Sequence, residues 1–314
     1  MIEIFFVKKT VDFLYHAKYI LIIALFLICC SFISFFMKGM NWGLDFTGGY
    51  VVEVNFLQVI APDDLRQALE HQGIENAIVQ QFGSAKDMIV RVPPITENKD
   101  LKSKIMQATY ELNIEGKINR VEFVGPQIGQ QMTEQGGLAV LISIVCILFY
   151  VGVRFEYRLA LGAVLALIHD VILTMGIFSF FYIEFDLTVM AAVLAVVGYS
   201  LNDTIVVFDR VRENFIKLRD VSPYDIINQS VTQTMSRTII TTGTTLIVII
   251  SLFLLGGQVI HGFATALLCG IVAGTISSIY IASFTALKLG LEKNHMMPVE
   301  VEKEGLNDSD IMGL

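Results

Sequence analysis

The sequence predicts a polytopic α-helical membrane protein with six transmembrane helices and one ferredoxin-like α+β domain between the first two helices. Hydrophobic residues make up 54% of the 314 residues and charged residues only 17%, below the roughly 25% of soluble domains. The apolar residues are concentrated in six windows long enough to cross a bilayer. A polar stretch of about a hundred residues, with short strand and helix patterns, separates the first window from the second.

The six predicted spans are apolar runs with few or no charges. At 1.5 Å per residue, each run approaches or exceeds the roughly 30 Å thickness of the hydrocarbon core, and the second is near the lower limit. The predicted transmembrane helices are residues 19–37, 137–153, 159–181, 187–207, 238–255 and 263–287. The remaining segments are an N-terminus (1–18), a large extracytoplasmic domain (38–136), a loop (208–237) and a tail (288–314).

The distribution of Lys and Arg predicts the orientation of the spans. The links around Glu184 and Asp186 and around Gln258 and His261 contain no Lys or Arg. The segments on the other side of the membrane carry Lys8, Lys9, Lys18, Arg154, Arg158, Arg210, Arg212, Lys217, Arg219, Lys288, Lys293 and Lys303. Because short cytoplasmic segments are enriched in Lys and Arg, both termini are predicted to be cytoplasmic and residues 38–136 periplasmic.

The polar stretch carries the pattern of a small folded domain from residue 50 to residue 124. Strands are predicted at 51–56, 77–82, 88–92 and 120–124, where β-branched and apolar residues alternate with polar ones. One helix is predicted to start at Pro62 and stop at Gly73, and a second to be capped by Thr96 or Asn98 and to reach Leu112. The order is βαββαβ, the split arrangement of ferredoxin-like domains.

Two glycine-bearing connectors flank this domain. The first, residues 43–49, contains Gly43, Asp45, Gly48 and Gly49, and the second is residues 125–129. A phosphate-binding loop needs Gly-Lys-Ser/Thr after its glycines, and here Tyr50 follows, which argues against nucleotide binding. The first connector is predicted to be a hinge or a tight connection, since glycine allows backbone angles that other residues avoid.

Few ionisable residues lie within the spans, and a charged side chain in a bilayer costs several kcal/mol, so each one is a candidate functional residue. His169 and Asp170 fall near the middle of the third span, and Asn202 and Asp203 in the cytoplasmic half of the fourth. Arg237 opens the hydroxyl-rich fifth span. For His169, Asp170 and Asn202 we predict interhelical hydrogen bonding that supports the packing of the spans.

Two hypotheses remain for Asp203 and Arg237. In the first they form a static ion pair, or Arg237 extends its side chain to the membrane interface. In the second Asp203 binds and releases a proton, with burial favouring its neutral form and an approaching Arg237 favouring its ionised form. Arginine keeps its charge at ordinary pH and can therefore tune the carboxylate without losing a proton itself.

Other classes of function are disfavoured by the sequence. The isoelectric point of about 5.2 argues against nucleic-acid binding. Cys29, Cys30, Cys146 and Cys269 lie inside apolar windows without metal-ligand spacing, so neither a metal site nor any other cofactor is predicted. A Gly-x-Ser triplet ending at Ser200 is too common in apolar helices to indicate a protease, and no enzymatic activity is predicted.

Several motifs together resemble one known family. They are GLDFTGG (43–49), VGPQIGQQ (124–131), IHDV (168–171), GYSLNDTIVVFDRVREN (198–214), SRTIITTGTT (236–245) and VEKEG (301–305). These residues look like the SecF members of the bacterial SecD/SecF family of protein translocase subunits, which belongs to the RND superfamily. The resemblance covers essentially the whole chain.

The resemblance implies a six-span subunit of the cell inner membrane that pairs with SecD. It implies assistance to the translocon of SecY, SecE and SecG, a functional link to the ATPase SecA, and association with YajC. The proton-motive force would promote late translocation and release of preproteins on the periplasmic side. The family's intramembrane carboxylate and its arginine fall on Asp203 and Arg237. The alternatives are an RND-like exporter of small molecules or lipids and a non-transporting scaffold of the translocon.

Overall fold

The computed structural model describes residues 10–75, 77–94, 100–218 and 220–292. The elements follow in the order α1 (Leu14–Lys38), β1 (Asn41–Trp42), α2 (Leu44–Thr47), β2 (Gly49–Phe56), α3 (Pro62–His71), β3 (Ile78–Phe82), β4 (Ser84–Val92), α4 (Leu101–Glu111), β5 (Gly116–Val124), α5 (Pro126–Arg154), α6 (Tyr157–Phe181), β6 (Glu184–Phe185), α7 (Leu187–Lys217), α8 (Pro223–Leu255), α9 (Gln258–Ser277), a π-helical segment (Ser278–Ala282) and α10 (Ser283–Lys288). Outside the described residues lie the orientation signals Lys8, Lys9, Arg219, Lys293 and Lys303, the predicted caps Thr96 and Asn98, and the VEKEG run.

Six of the described helices are long and apolar enough to cross a membrane. They are α1, α5, α6, α7, α8 and the continuous last helix that α9, the π-helical segment and α10 form together. The predicted class of a six-span α-helical membrane protein is confirmed. About half of the apolar window is buried within the chain in α6, α7 and the last helix, whereas α1, α5 and α8 expose most of theirs. Helices that are apolar on their exposed faces are suited to contact with lipid or another subunit.

The fourth and fifth membrane helices, α7 and α8, extend well beyond the predicted spans. The segment 208–237, predicted as a loop, is helical up to Lys217 and again from Pro223, which leaves a link of only 218–222. The reason is an apolar stripe at helical spacing on both helices that buries side chains outside the predicted membrane window. The buried residues of this stripe are Phe208, Val211, Phe215, Ile226, Ile227 and Val231. Ser222 caps α8 by accepting a hydrogen bond from Asp225 N, and Pro223 occupies the first helical turn.

The domain between α1 and α5 has the predicted βαββαβ order, and this prediction is confirmed. Its four strands form an antiparallel sheet in the order β3-β4-β2-β5, with α3 and α4 packed on one face. Strand alternation places Val52, Val54, Phe56 and Val90 in the core, where each is almost fully buried. The opposite face carries both polar and apolar side chains, among them Glu53, Ile89 and Arg91, and lines a cavity together with the link between α6 and α7.

A second, two-stranded sheet was not predicted from the sequence. Strands β1 and β6 pair in parallel, with Asn41 opposite Glu184 and Trp42 opposite Phe185. This pairing joins the segment that follows α1 to the link between α6 and α7. The first connector therefore lies between β1, which pairs with the link before α7, and β2, which belongs to the sheet domain.

Candidate functional site: buried polar groups between the membrane helices

Asp203 lies on α7 and is 3% exposed. Its Oδ2 atom is buried and has no hydrogen-bond partner among the described residues. The polar groups that act on the carboxylate belong to α8, namely Thr242 and the guanidinium of Arg237. A buried carboxylate oxygen without a donor is costly when the group is ionised, so this site favours binding of a proton unless a cation approaches.

Arg237 lies near Asp203 without forming a direct ion pair in this conformation. No ion pair between the two is found among the described residues, and Arg237 is exposed. Asp203 lies about 24 Å from the first residue of α7, and Arg237 lies about 27 Å from the last residue of α8. Because these two helix ends lie on the same side of the helix bundle, both residues have the same depth within one helical turn. The static ion pair that one hypothesis requires is therefore not present here.

A second cluster of buried polar side chains surrounds Asp170 on α6. Asp170 itself is fully buried. Its Oδ1 lies 2.9 Å from Nδ1 of His169, and its Oδ2 accepts hydrogen bonds from Ser200 Oγ at 2.6 Å and Ser277 Oγ at 2.7 Å. The three partners come from α6, α7 and α9. Gly274 permits this close approach, because a Cβ at that position would lie 2.9 Å from Ser200 Cβ. The arrangement fits interhelical support, which remains a prediction for His169 and Asp170.

Hydroxyl groups continue the polar contacts from α8 to its neighbours. Thr242 Oγ1 lies 3.3 Å from Thr275 Oγ1 on α9, and the Tyr199 hydroxyl lies 3.4 Å from Thr245 Oγ1. Asn202, predicted to support the packing, is exposed on α7. The structure thus brings Asp203, Thr242 and Arg237 together and places Asp170 in a separate network, while Asn202 points away from the buried groups.

The predicted connector residues form a tightly packed junction. Gly48 and Gly49 have φ angles of +64° and +115°, a region that favours glycine, and a Cβ on Gly49 would lie 2.4 Å from Val92 O. A Cβ on Gly129, at the start of α5, would lie 2.9 Å from Gly48 N. The two glycine-bearing connectors are therefore in direct contact with each other and with the end of β4.

Asp45 and Gly43 connect the same segment to α7. Asp45 Oδ2 accepts a hydrogen bond of 3.0 Å from Leu187 N at the first turn of α7, and Gly43 N donates to Phe185 O at 2.8 Å. A Cβ on Gly43 would lie 3.0 Å from Asp186 Cα, which leaves little room for a side chain.

Sequence reasoning missed a charged cluster beside this junction. Arg91, at the end of β4, forms an ion pair with Glu184 and donates a hydrogen bond of 2.9 Å to Asn41 Oδ1. Burial raises the pKa of the Glu184 carboxyl above its usual value, although the positive charge of Arg91 acts in the opposite direction. Two features of the sequence could have indicated this cluster. Arg91 interrupts the apolar end of β4, and the link between α6 and α7 carries the acidic residues Glu184 and Asp186 without Lys or Arg.

The comparisons with known proteins agree with the fold and with these motifs. The family model of the C-terminal part of the protein export membrane proteins SecD and SecF matches residues 104–292, and the model of the SecD/SecF GG motif matches residues 33–56. The protein translocase subunit SecF of Vibrio alginolyticus is 53% identical over 97% of this chain and 98% of its own length. The protein translocase subunit SecF of Escherichia coli O157:H7 is 46% identical over 97% of this chain and 96% of its own length.

A solved structure has the same fold. The crystal structure of SecDF, a translocon-associated membrane protein from Thermus thermophilus, matches with a TM-score of 0.82 at 34% identity and covers 91% of this chain. The present chain spans only 39% of that SecDF chain. Six membrane helices around buried polar groups, with one split βαβ domain, define an export-type polytopic membrane protein. The chain belongs to the SecD/SecF family, and the relatives that match nearly its full length are named SecF.

Proposed function

We propose that this chain works with SecD in the inner membrane and uses the proton-motive force to promote late translocation and release of preproteins on the periplasmic side. The observation that carries the proposal is Asp203, whose buried carboxylate has an oxygen with no partner in the part of the chain that the structure describes, and an arginine close by but not bound to it. Such a carboxylate has two accessible states, one neutral with a proton and one ionised next to a cation.

Exchange between these states requires a movement of α7 relative to α8. When Asp203 is ionised, an approach of Arg237 lowers the free energy of the buried negative charge. When Asp203 is protonated, this electrostatic attraction is lost. Arg237 retains its charge throughout, because arginine is not deprotonated in proteins. Protonation of Asp203 is thereby coupled to the distance between two neighbouring helices.

The energy of the proton gradient has the magnitude that this movement needs. One charge that crosses 100 mV provides about 2.3 kcal/mol. Two conformations of a protein typically differ by a few kcal/mol, so one or a few protons per cycle are enough to shift their populations.

SecD is the proposed partner within the membrane. Arg237 is exposed at the surface of the isolated chain, and a charged group that faces hydrocarbon is unfavourable by several kcal/mol unless another subunit or water covers it. The similarity to the Thermus SecDF structure supports the same partner. Further proposed partners are the SecY, SecE and SecG translocon, YajC, the ATPase SecA and the translocating preprotein. We propose a transport role without an enzymatic reaction.

The orientation is part of the proposal, with the α+β domain periplasmic and both termini cytoplasmic. In a cysteine-free chain, we expect Ser84→Cys in the domain to react with a membrane-impermeant thiol reagent added from the periplasmic side. Val221→Cys in the link between α7 and α8 serves as the matched control, since both positions are exposed. It should react only after the inner membrane is opened. The reverse labelling pattern would contradict the proposed orientation.

Proton movement tests the proposed function directly. We expect vesicles that contain this chain with SecD to acidify after a pH jump faster than vesicles that contain SecD alone, and to increase preprotein translocation when a gradient is present. Translocation that is equal with and without a gradient, in vesicles that translocate with SecA and ATP, would favour a scaffold.

A further inference from the structure

The start of α7 is held by two carboxylates from different parts of the chain. Asp186 is the N-cap of the helix itself and accepts hydrogen bonds from Val189 N at 2.8 Å and Thr188 Oγ1 at 2.7 Å. Asp45, 142 residues away in sequence from Leu187, accepts the hydrogen bond from Leu187 N. One cap is enough to begin a helix, and both carboxylates are favoured by the positive end of the helix dipole. The second carboxylate additionally ties the connector to α7.

Further contacts of this connector restrict movement between it and the outer end of α7. The β1–β6 pairing holds Asn41 and Trp42, which directly precede the connector, against the link that leads into α7. The aromatic rings of Trp42 and Phe46 pack against Phe185, with ring centroids 5.5 Å and 6.2 Å from that of Phe185. The connector and the outer end of α7 therefore form one packed unit.

The same connector is joined to the sheet domain by a very short segment of chain. Only Gly48 separates the end of α2 from the first residue of β2, which pairs with β4 and β5 at the centre of the sheet. Arg91 on β4 adds a second tie through Asn41 and Glu184. A displacement of the outer end of α7 is thus passed to the sheet through three or four residues, about 10 to 14 Å of chain at most.

We propose that Asp45 is a positioning residue for transport, which couples the movement of α7 to the α+β domain. The inference rests on the proposed function, because it concerns how protonation of Asp203 reaches the domain. Asp203 lies about 24 Å along α7 from the contact with Asp45. A helix transmits an axial shift or a tilt over this length, and the Asp45 carboxylate links the connector to the backbone of the first turn of that helix.

The experiment compares Asp45→Ala with Asp186→Ala in the complex with SecD. Each variant removes one carboxylate from the start of α7, but only Asp45→Ala removes a hydrogen bond between the connector and the helix. Three quantities are measured: the amount of complex in the membrane, the proton flux after a pH jump, and the gradient-dependent increment of preprotein translocation. For Asp45→Ala we expect normal complex and normal proton flux, with a roughly tenfold smaller increment per proton, as the loss of one charge-assisted hydrogen bond predicts. Asp186→Ala should keep its increment within about twofold, since the connector stays attached.

A disulfide provides a rescue that separates coupling from general damage. Trp42→Cys and Phe185→Cys occupy paired positions of β1 and β6, and the four native cysteines are removed by substitution to alanine. In the Asp45→Ala background, oxidation of this pair should restore the increment, and reduction should remove it again. A normal increment in Asp45→Ala, an equal loss in Asp186→Ala, or a loss of proton flux together with translocation would overturn the inference. Absence of any increment in the unmodified complex would instead refute the proposed function and the inference with it.

Discussion

Asp203→Asn is expected to remove the gradient-dependent part of preprotein translocation while leaving the steps driven by SecA and ATP intact. Asparagine keeps the size and the hydrogen-bonding capacity of the side chain but cannot take up and release a proton. The carboxylate is buried with one oxygen unpartnered, so its charge state strongly affects the energy of the site. In this variant the side chain at position 203 is always neutral. Arg237 then has no neighbouring carboxylate whose charge changes, and nothing drives α7 and α8 to alternate between two arrangements.

The measurement is translocation into membrane vesicles with ATP present, with and without a proton gradient. Asp209→Asn is the matched control, because it is the same substitution on the same helix at an exposed surface ion pair with Arg154. Surface ion pairs contribute about 0 to 1 kcal/mol, so this variant should keep its response to the gradient. Arg237→Lys keeps the charge but loses the planar guanidinium, and we expect an intermediate response. A response of Asp203→Asn at the unmodified level would contradict the proton-binding role of Asp203 and favour a structural role for this side chain.

The membrane helices were predictable because lipid imposes a length and a composition on each span. The apolar windows of α1 and α5 contain no charged residue, and no other structure of similar composition satisfies the backbone in hydrocarbon. The extensions of α7 and α8 were not predictable from these windows. Their buried residues, such as Phe208 and Ile226, alternate with Arg, Lys and Asp at helical spacing, a pattern that resembles a polar loop when only hydropathy is considered.

The candidate site was predictable in its residue types and less so in its contacts. A carboxylate in a span stands out in any sequence, which identified Asp203 and Asp170. Their different surroundings did not stand out, since the two hydroxyls on Asp170 come from Ser200 and Ser277 on other helices. The connection between Asp45 and Leu187 also has no local signal. Strands of two residues such as β1 and β6 carry no periodic pattern, and their pairing depends on the arrangement of α1, α6 and α7.

The packing of the first connector changes the expected effect of substituting its glycines. In a free hinge, replacing a glycine by a residue with a side chain would restrict movement without destabilising the fold. Gly49 is instead surrounded by backbone: its φ angle of +115° is one that β-branched residues avoid, and a Cβ would lie 2.4 Å from Val92 O. Strain in the backbone alone costs about 1 to 2 kcal/mol, and the clash with a carbonyl oxygen inside the sheet adds roughly 1 to 3 kcal/mol more.

Gly49→Val is therefore expected to lower the amount of folded protein rather than only its transport activity. The combined cost of roughly 2 to 5 kcal/mol is a large part of the 5 to 15 kcal/mol by which native domains are typically stable. Purification with SecD and the thermal unfolding midpoint of the complex measure this effect. Gly137→Val on α5 is the matched control, because no atom lies within 4 Å of a Cβ there, and it should behave like the unmodified chain. If Gly49→Val assembled at the normal level with an unchanged midpoint and lost only transport, the connector would act as a hinge, and close packing at Gly49 would not be its essential feature.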